Sequence, residues 1–383
     1  MKRNYIAKRF QNAGSGLTLD TEALAKYKDI IDLSIGDTDF ITDEGIINAA
    51  FRDAKAGYTR YGDPKGDPEL IDAVCRAWQD DFEQKLPHDH VLVSASSCLG
   101  MALVMFSILD PGDEVIVFSP YFPMYRSQIE LAGGVCVDVP TYANEDYAID
   151  EARLRAAITP RTKAIIFNNP TNPTGMAYGN DTLEMLARVA KEYDLLIAAD
   201  EIYTTYLYEG DFRPLRTLPG MAERVITLNS FSKNFLMTGW RVGVIIAEPE
   251  LLEVMNDING SLIYTAPSIS QRAAIHALSM RREIREKYVT AYRDRIFYTA
   301  DRIEKIPYLS LVRPKGTFYL FPGIEKTGLT DDEFCNVLLD KAHVLVSHGK
   351  AFGTAGAGHF RIACTVGIDT LKIAFDRMEK LSF

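Results

Sequence analysis

Between residues 91 and 247, short runs rich in β-branched and apolar residues alternate with longer stretches whose apolar positions recur at helical spacing. The short runs fall at 91–94, 114–118, 135–139, 164–168, 195–199 and 225–229. Between them, stretch 182–193 places Leu183, Leu186, Val189 and Ala190 on one helical face. That alternation predicts an α/β fold with a mostly parallel sheet covered by helices on both faces. A seventh run, 241–247, follows the sixth after about ten residues, too few for a parallel crossover of a dozen or more. This strand is therefore expected to be antiparallel or not adjacent. Residues 268–306 contain neither Gly nor Pro, which allows one long helix or two packed ones. The remainder reads as α+β, with strands near 309–312, 317–321 and 360–363 and helices at 331–341 and 368–380. The expectation is a seven-stranded large domain over 46–275. A smaller α+β domain follows from 276–383 together with the N-terminal arm, 1–45.

Length agrees with two domains, since 383 residues exceed the size at which one core stops growing. Hydrophobic residues make up 47% and charged residues 25%, the balance of a globular chain. A formal net charge of -10 argues against a general nucleic-acid or anionic-membrane surface and leaves room for a local basic pocket. No apolar run approaches the roughly 20 residues of a membrane span; the longest, 99–109, suits a buried helix. The first ten residues hold no apolar core, so neither signal peptide nor anchor is expected there. Cys75, Cys98, Cys136, Cys335 and Cys364 are scattered without CxxC spacing. Reduced thiols in a cytoplasmic protein follow. His88 and His90 sit in a turn-like Pro-His-Asp-His, and no metal site is expected.

Candidate chemistry concentrates in Ser-Phe-Ser-Lys-Asn-Phe-Leu-Met-Thr-Gly-Trp-Arg-Val-Gly, residues 230–243. Lys233 stands there between hydroxyls and eight residues before Arg241. A confined lysine amine condenses with a carbonyl once its charge is lost. The hydroxyls and the guanidinium suit a phosphate dianion. An aldehyde carrying a phosphate satisfies both, and pyridoxal 5'-phosphate is such a molecule; a surface lysine near a structural arginine is the plainer alternative. Strand ends add further candidates, since ligands of open parallel sheets sit there. Ser96-Ser97-Cys98 precedes a helix whose free N–H groups face any anion, although a Ser-Ser pair is commonly a plain N-cap. Phe122 and Tyr125 follow the second run, Asn172 lies in a Pro-rich turn after the fourth, and Asp200 closes the apolar run before Tyr203. A carboxylate there needs a cationic or hydrogen-bonding partner.

These segments together resemble the class I/II aminotransferases, the fold type I pyridoxal-phosphate enzymes of the aspartate aminotransferase kind. Asn-Asn-Pro-Thr-Asn-Pro-Thr-Gly (168–175), Ala-Asp-Glu-Ile-Tyr (199–203) and the 230–243 segment carry the resemblance. It extends from Leu33 to Ala363. It implies that Lys233 forms the Schiff base and shuttles a proton, and that Asp200 keeps the ring nitrogen protonated. Asn172 and Tyr203 match the pair on the ring's phenolic oxygen, and Phe122 the aromatic stacked on its face. Ser97 and Cys98, through backbone N–H, with Ser230 and Arg241, fall on the phosphate cradle. Tyr61 matches a tyrosine that reaches the neighbouring subunit's phosphate, which implies a homodimer with shared sites. Arg361 and Gly36 match the grip on the substrate α-carboxylate.

The implied activity is ping-pong transfer of an amino group from an L-amino acid to a 2-oxo acid, with 2-oxoglutarate expected as acceptor. Two alternatives stand beside it. One is a C–S β-lyase of the same fold; the other is a metabolite-sensing regulator, for which the sequence shows no room before Gly36 for a DNA-binding domain and no basic stretch. One departure bears on the substrate. Cys98 stands where one group of bacterial aspartate aminotransferases has a lysine for the distal carboxylate. No other lysine or arginine can be assigned to the side-chain pocket from sequence; Tyr125 and Tyr264 are candidates to line it.

Overall fold

In the computed structural model, residues 5–7 and 27–383 are described. Seven strands form the main sheet: β2 (Val91–Ser94), β3 (Glu114–Ser119), β4 (Val135–Pro140), β5 (Thr162–Asn168), β6 (Leu196–Asp200), β7 (Val225–Ser230) and β8 (Gly243–Ile246). Their spatial order is β2-β8-β7-β6-β5-β3-β4. All neighbours are parallel except β8, which runs antiparallel between β2 and β7. The short connection after β7 dictates this, as the spacing predicted.

The antiparallel strand has a second effect. Because β8 enters from the edge at which the parallel strands end, Gly243 pairs with both Ser230 and Ser94. Register also aligns Asn168 with Asp200 and Asp200 with Leu228. Asn168, Asp200 and Ser230 therefore emerge along one edge, with Arg241 just outside the start of β8.

Helices cover both faces. The Ser97–Ile108 helix is apolar on nearly every side and buries Met101, Leu103, Val104 and Met105 with sheet residues Leu228 and Ile245. The Asn180–Glu192 helix buries Leu183, Leu186, Val189 and Ala190 on the opposite face. Stretch 268–306 is two helices, Ser268–Ser279 and Arg281–Ile303, broken at Met280. The second helix places Ile284, Tyr288 and Tyr292 in one core and Ile296, Ala300 and Ile303 in another.

The other core belongs to a smaller set of elements. Here β11 (Ser347–His348), β12 (Phe360–Ala363) and β9 (Tyr319–Leu320) form an antiparallel sheet, while β1 (Ile31–Asp32) pairs in parallel with β10 (Val344–Leu345). Several boundaries differ from the sequence reading. Residues 309–312 form no strand: Ser310 makes an isolated bridge with Gly323. The 317–321 strand shrinks to two residues, with Thr317 at a left-handed φ of 61°. The 331–341 helix is α-helical only over Asp331–Val337 and widens to a π turn over Leu338–Ala342. In the N-terminal arm, residues 1–4 and 8–26 lie outside the described residues. Among the described residues no helix is long and apolar enough to cross a membrane, and no cluster of His, Cys, Asp or Glu could hold a metal ion.

Candidate active site

A cavity of about 990 Å³ opens at the carboxyl edge of the main sheet, under segments 34–37 and 345–351. Its floor is Asp200. The side chain is 6% exposed. Tyr125 donates its hydroxyl to Oδ2, while Oδ1 is buried with no hydrogen-bond partner. Burial drives the carboxyl up to about 6, against the Tyr125 hydroxyl and the Ile202 backbone N–H, which lower it. A buried carboxylate oxygen without a donor is costly, so it marks a place where a donor or cation belongs.

Anion-binding groups gather on one side. Ser96 caps the Ser97–Ile108 helix through its Oγ and holds φ at 119°. The first N–H groups of that helix, at Ser97 and Cys98, have no intrahelical acceptor. Ser97 Oγ donates to the Asn229 carbonyl at 2.7 Å, tying the helix start to the end of β7. Gly243 permits this: a Cβ there would meet Ser97 N at 2.8 Å and Asn229 O at 2.9 Å. Ser230 caps the next turn by accepting from Ser232 N at 3.1 Å. Arg241 adopts a left-handed φ of 54° and is exposed, its Nη1 bonded to Thr238 O at 2.9 Å. Cys98 lines the same region, its thiol pushed up from its ordinary value by burial.

Lys233 enters from the turn after β7. Its Nζ donates to the Gly36 carbonyl and lies 5.7 Å from the Phe318 ring centre. A Cβ at Gly36 would fall 1.8 Å from the Tyr319 hydroxyl, so any larger residue there would have to push the buried Tyr319 ring aside. Tyr203 is buried, and its hydroxyl bonds Tyr319 at 3.2 Å. Phe122 is half-buried on the cavity wall, edge-on to Tyr125 at 5.6 Å.

At the far wall stands Arg361, 4% exposed, between the rings of Tyr319 and Phe352 at 4.5 and 4.8 Å. It donates to Asn172 Oδ1 at 3.0 Å, Ser34 O at 2.5 Å and Ser347 Oγ at 3.3 Å. None of these is a carboxylate, and Nε has no partner. Burial lowers its pKa from the ordinary arginine value. A buried guanidinium facing a cavity without a counterion is prepared for an anion.

The structure thus brings to one cavity eleven of the twelve residues that the resemblance assigns to the cofactor and the α-carboxylate. Tyr61 is outside it, 85% exposed and packed edge-on against Tyr264 at 5.3 Å. Tyr264 is likewise outside the cavity of its own chain, contrary to the expectation of lining it. Tyr125 does line the cavity, but its hydroxyl is committed to Asp200. Sequence reasoning missed Tyr319, and also Asp332, Ser347, His348 and Lys350 on the rim. A signal for Tyr319 existed in the Gly-Thr-Phe-Tyr run, but a two-residue strand leaves too little alternation to show which way it faces.

A family model described as aminotransferase class I and II matches residues 28–378. The chain belongs to that family. This aminotransferase is 36% identical to the aspartate aminotransferase of Pyrococcus abyssi, over 93% of this chain and 92% of that one. The arginine–pyruvate transaminase of Pseudomonas aeruginosa is 34% identical, over 93% and 91%. Aspartate aminotransferase from Thermus thermophilus with maleate superposes at a TM-score of 0.93, with 32% identity over 99% of this chain and 100% of that one. The relatives carry different substrate names, so kinship gives the reaction and leaves the donor open.

Proposed function

We propose that this aminotransferase holds pyridoxal 5'-phosphate in the cavity and passes the amino group of an L-amino acid to a 2-oxo acid, with 2-oxoglutarate as acceptor. The observation that carries the cofactor reading is the buried, unpartnered Oδ1 of Asp200, which fits a protonated ring nitrogen. When bound, the cofactor supplies an aldehyde for the amine and a ring that withdraws electrons from the substrate's α-carbon. The chain's residues do the rest. Asp200 holds the proton on the ring nitrogen. Asn172, whose Oδ1 already serves Arg361, has its Nδ2 left to donate to the ring's phenolic oxygen, with Tyr203 beside it. Phe122 covers the ring's face. The N–H groups of Ser97 and Cys98, with Ser230 and Arg241, hold the phosphate. With the cofactor bound, Lys233 Nζ would hold its aldehyde until the substrate's amine displaced it, and the freed lysine amine would be placed to take the proton from the substrate's α-carbon. Arg361 fixes the α-carboxylate, helped by backbone at Gly36.

Tyr61 is proposed to complete the phosphate site of a second copy, which its exposure supports. The working unit is then a homodimer. The five cysteines are all free, in keeping with a cytoplasmic enzyme. The test is a panel of amino acids mixed with the cofactor-loaded protein, scored by bleaching of its visible absorbance and by pyridoxamine phosphate formed. Bleaching by at least one L-amino acid, reversed by 2-oxoglutarate, is expected. A protein that stays colourless in pyridoxal phosphate, or that bleaches with none, refutes the reading.

A further inference from the structure

Once Lys233, Asp200, Arg241 and Arg361 are given their roles, two cation-forming groups remain on the cavity wall, Lys350 and His348. Both are held by one carboxylate. His348 Nδ1 meets Asp332 Oδ1 at 2.7 Å, and Lys350 Nζ donates to Asp332 Oδ2. Since a carboxylate only accepts, Nδ1 carries the proton and Nε2 of His348 stays uncommitted to Asp332. Lys350 keeps two further ammonium donors. The backbone under them is fixed as well: Asp331, 6% exposed, accepts from Lys350 N and from Gly358 N, each at 2.7 Å. Asp332 lies below its ordinary carboxylate range, with the Lys350 hydrogen bond as the largest cause.

Register relates this rim to the α-carboxylate site. Ser347 pairs directly with Arg361 across β11 and β12 and accepts from its guanidinium. Lys350 is three residues farther along, at most roughly 10 Å by chain length. Lys350 and Arg361 line the same cavity, so a molecule with one carboxylate on Arg361 can present a second one toward Lys350. Asp37 also lines the cavity, exposed, with its Oδ1 accepting from Thr38 N at 2.9 Å, and its negative charge disfavours an anion beside it. Cys98 offers no charge.

We propose that Lys350, set in place by Asp332 and assisted by His348, recognises the distal carboxylate of a dicarboxylic amino or 2-oxo acid. The inference rests on the proposed amine transfer at this site and deepens it by assigning a substrate class and the residue that selects it. The experiment compares cofactor-loaded wild type, Lys350→Met and Lys350→Arg in single half-reactions with glutamate, alanine and arginine. In wild type, glutamate is expected to have the highest kcat/KM. The glutamate-to-alanine ratio should fall about tenfold in Lys350→Met, mainly through KM, the scale of one exposed charge-assisted hydrogen bond. Lys350→Arg should recover part of it. An unchanged ratio, or wild type that prefers alanine or arginine over glutamate, overturns the proposal while leaving amine transfer standing. No half-reaction with any of a full amino-acid panel would instead overturn the proposed function itself.

Discussion

Two adjacent acids at the end of β6 show how one physical cause yields two roles. Asp200 and Glu201 are both buried, and burial raises both carboxyls, to about 6 and about 8. Asp200 opens on the cavity; Glu201 turns away, and its Oε1 accepts from Leu215 N at 3.0 Å. Tyr125 donates to ionised Asp200, so Tyr125→Phe should raise that carboxyl further. The acid limb of kcat/KM should then move to higher pH, and an unmoved limb would show that Tyr125 does not tune the site. For Glu201 the consequence is stability. The folded chain keeps a proton that the unfolded chain loses from about 4.5 upward, so this group makes stability fall as pH rises from about 4.5 to about 8. Glu201→Gln should flatten that fall in urea midpoints measured from pH 5 to 8; parallel curves for the two proteins would reject it. At this scale the sequence was informative wherever a polar residue ended an apolar run, as at Asp200. It was silent on Tyr125's partner, because a hydroxyl's direction depends on how its helix packs.

At the scale of elements, the site depends on β8 and the Ser97–Ile108 helix meeting almost backbone to backbone. Gly243→Ala would place a methyl against Ser97 N, Asn229 O and Ser96 C, at 2.8 to 3.0 Å, and none of these is a flexible side chain. The expected cost is about 1–3 kcal/mol in stability, together with faster loss of cofactor on dialysis. Stability lost without loss of cofactor would place the helix start outside the phosphate site. The main-sheet strands were legible because runs of four to seven residues, mostly apolar and β-branched, leave a strong pattern. The pairs β1–β10 and β9–β12–β11 were legible only in part. Two-residue strands carry no period, and tertiary contacts rather than local sequence hold them. The rim residues His348 and Lys350 lie on one such strand and the turn after it, which is why the pattern did not reveal them.

For the whole molecule, we propose a large body over 46–275 and a smaller one formed by 276–383 with the N-terminal arm. The exposed Tyr61–Tyr264 pair belongs to the first. If Tyr61 serves a second copy's site, two defective chains can complement each other. Lys233→Ala and Tyr61→Ala proteins, each impaired alone, should regain amine transfer when unfolded and refolded together, because one site of the mixed dimer holds both native residues. No recovery in a verified mixed dimer would confine Tyr61 to its own chain. Overall architecture was the most legible level, since alternating strands and helices admit few topologies.

The Arg281–Ile303 helix has one half in each of the two main cores that flank the site, with no Gly or Pro between the halves. It runs as one continuous rod through both cores. If the smaller body swings over the cavity, it must turn about this rod or carry it along, and melting either core would loosen a helix that the other also packs against.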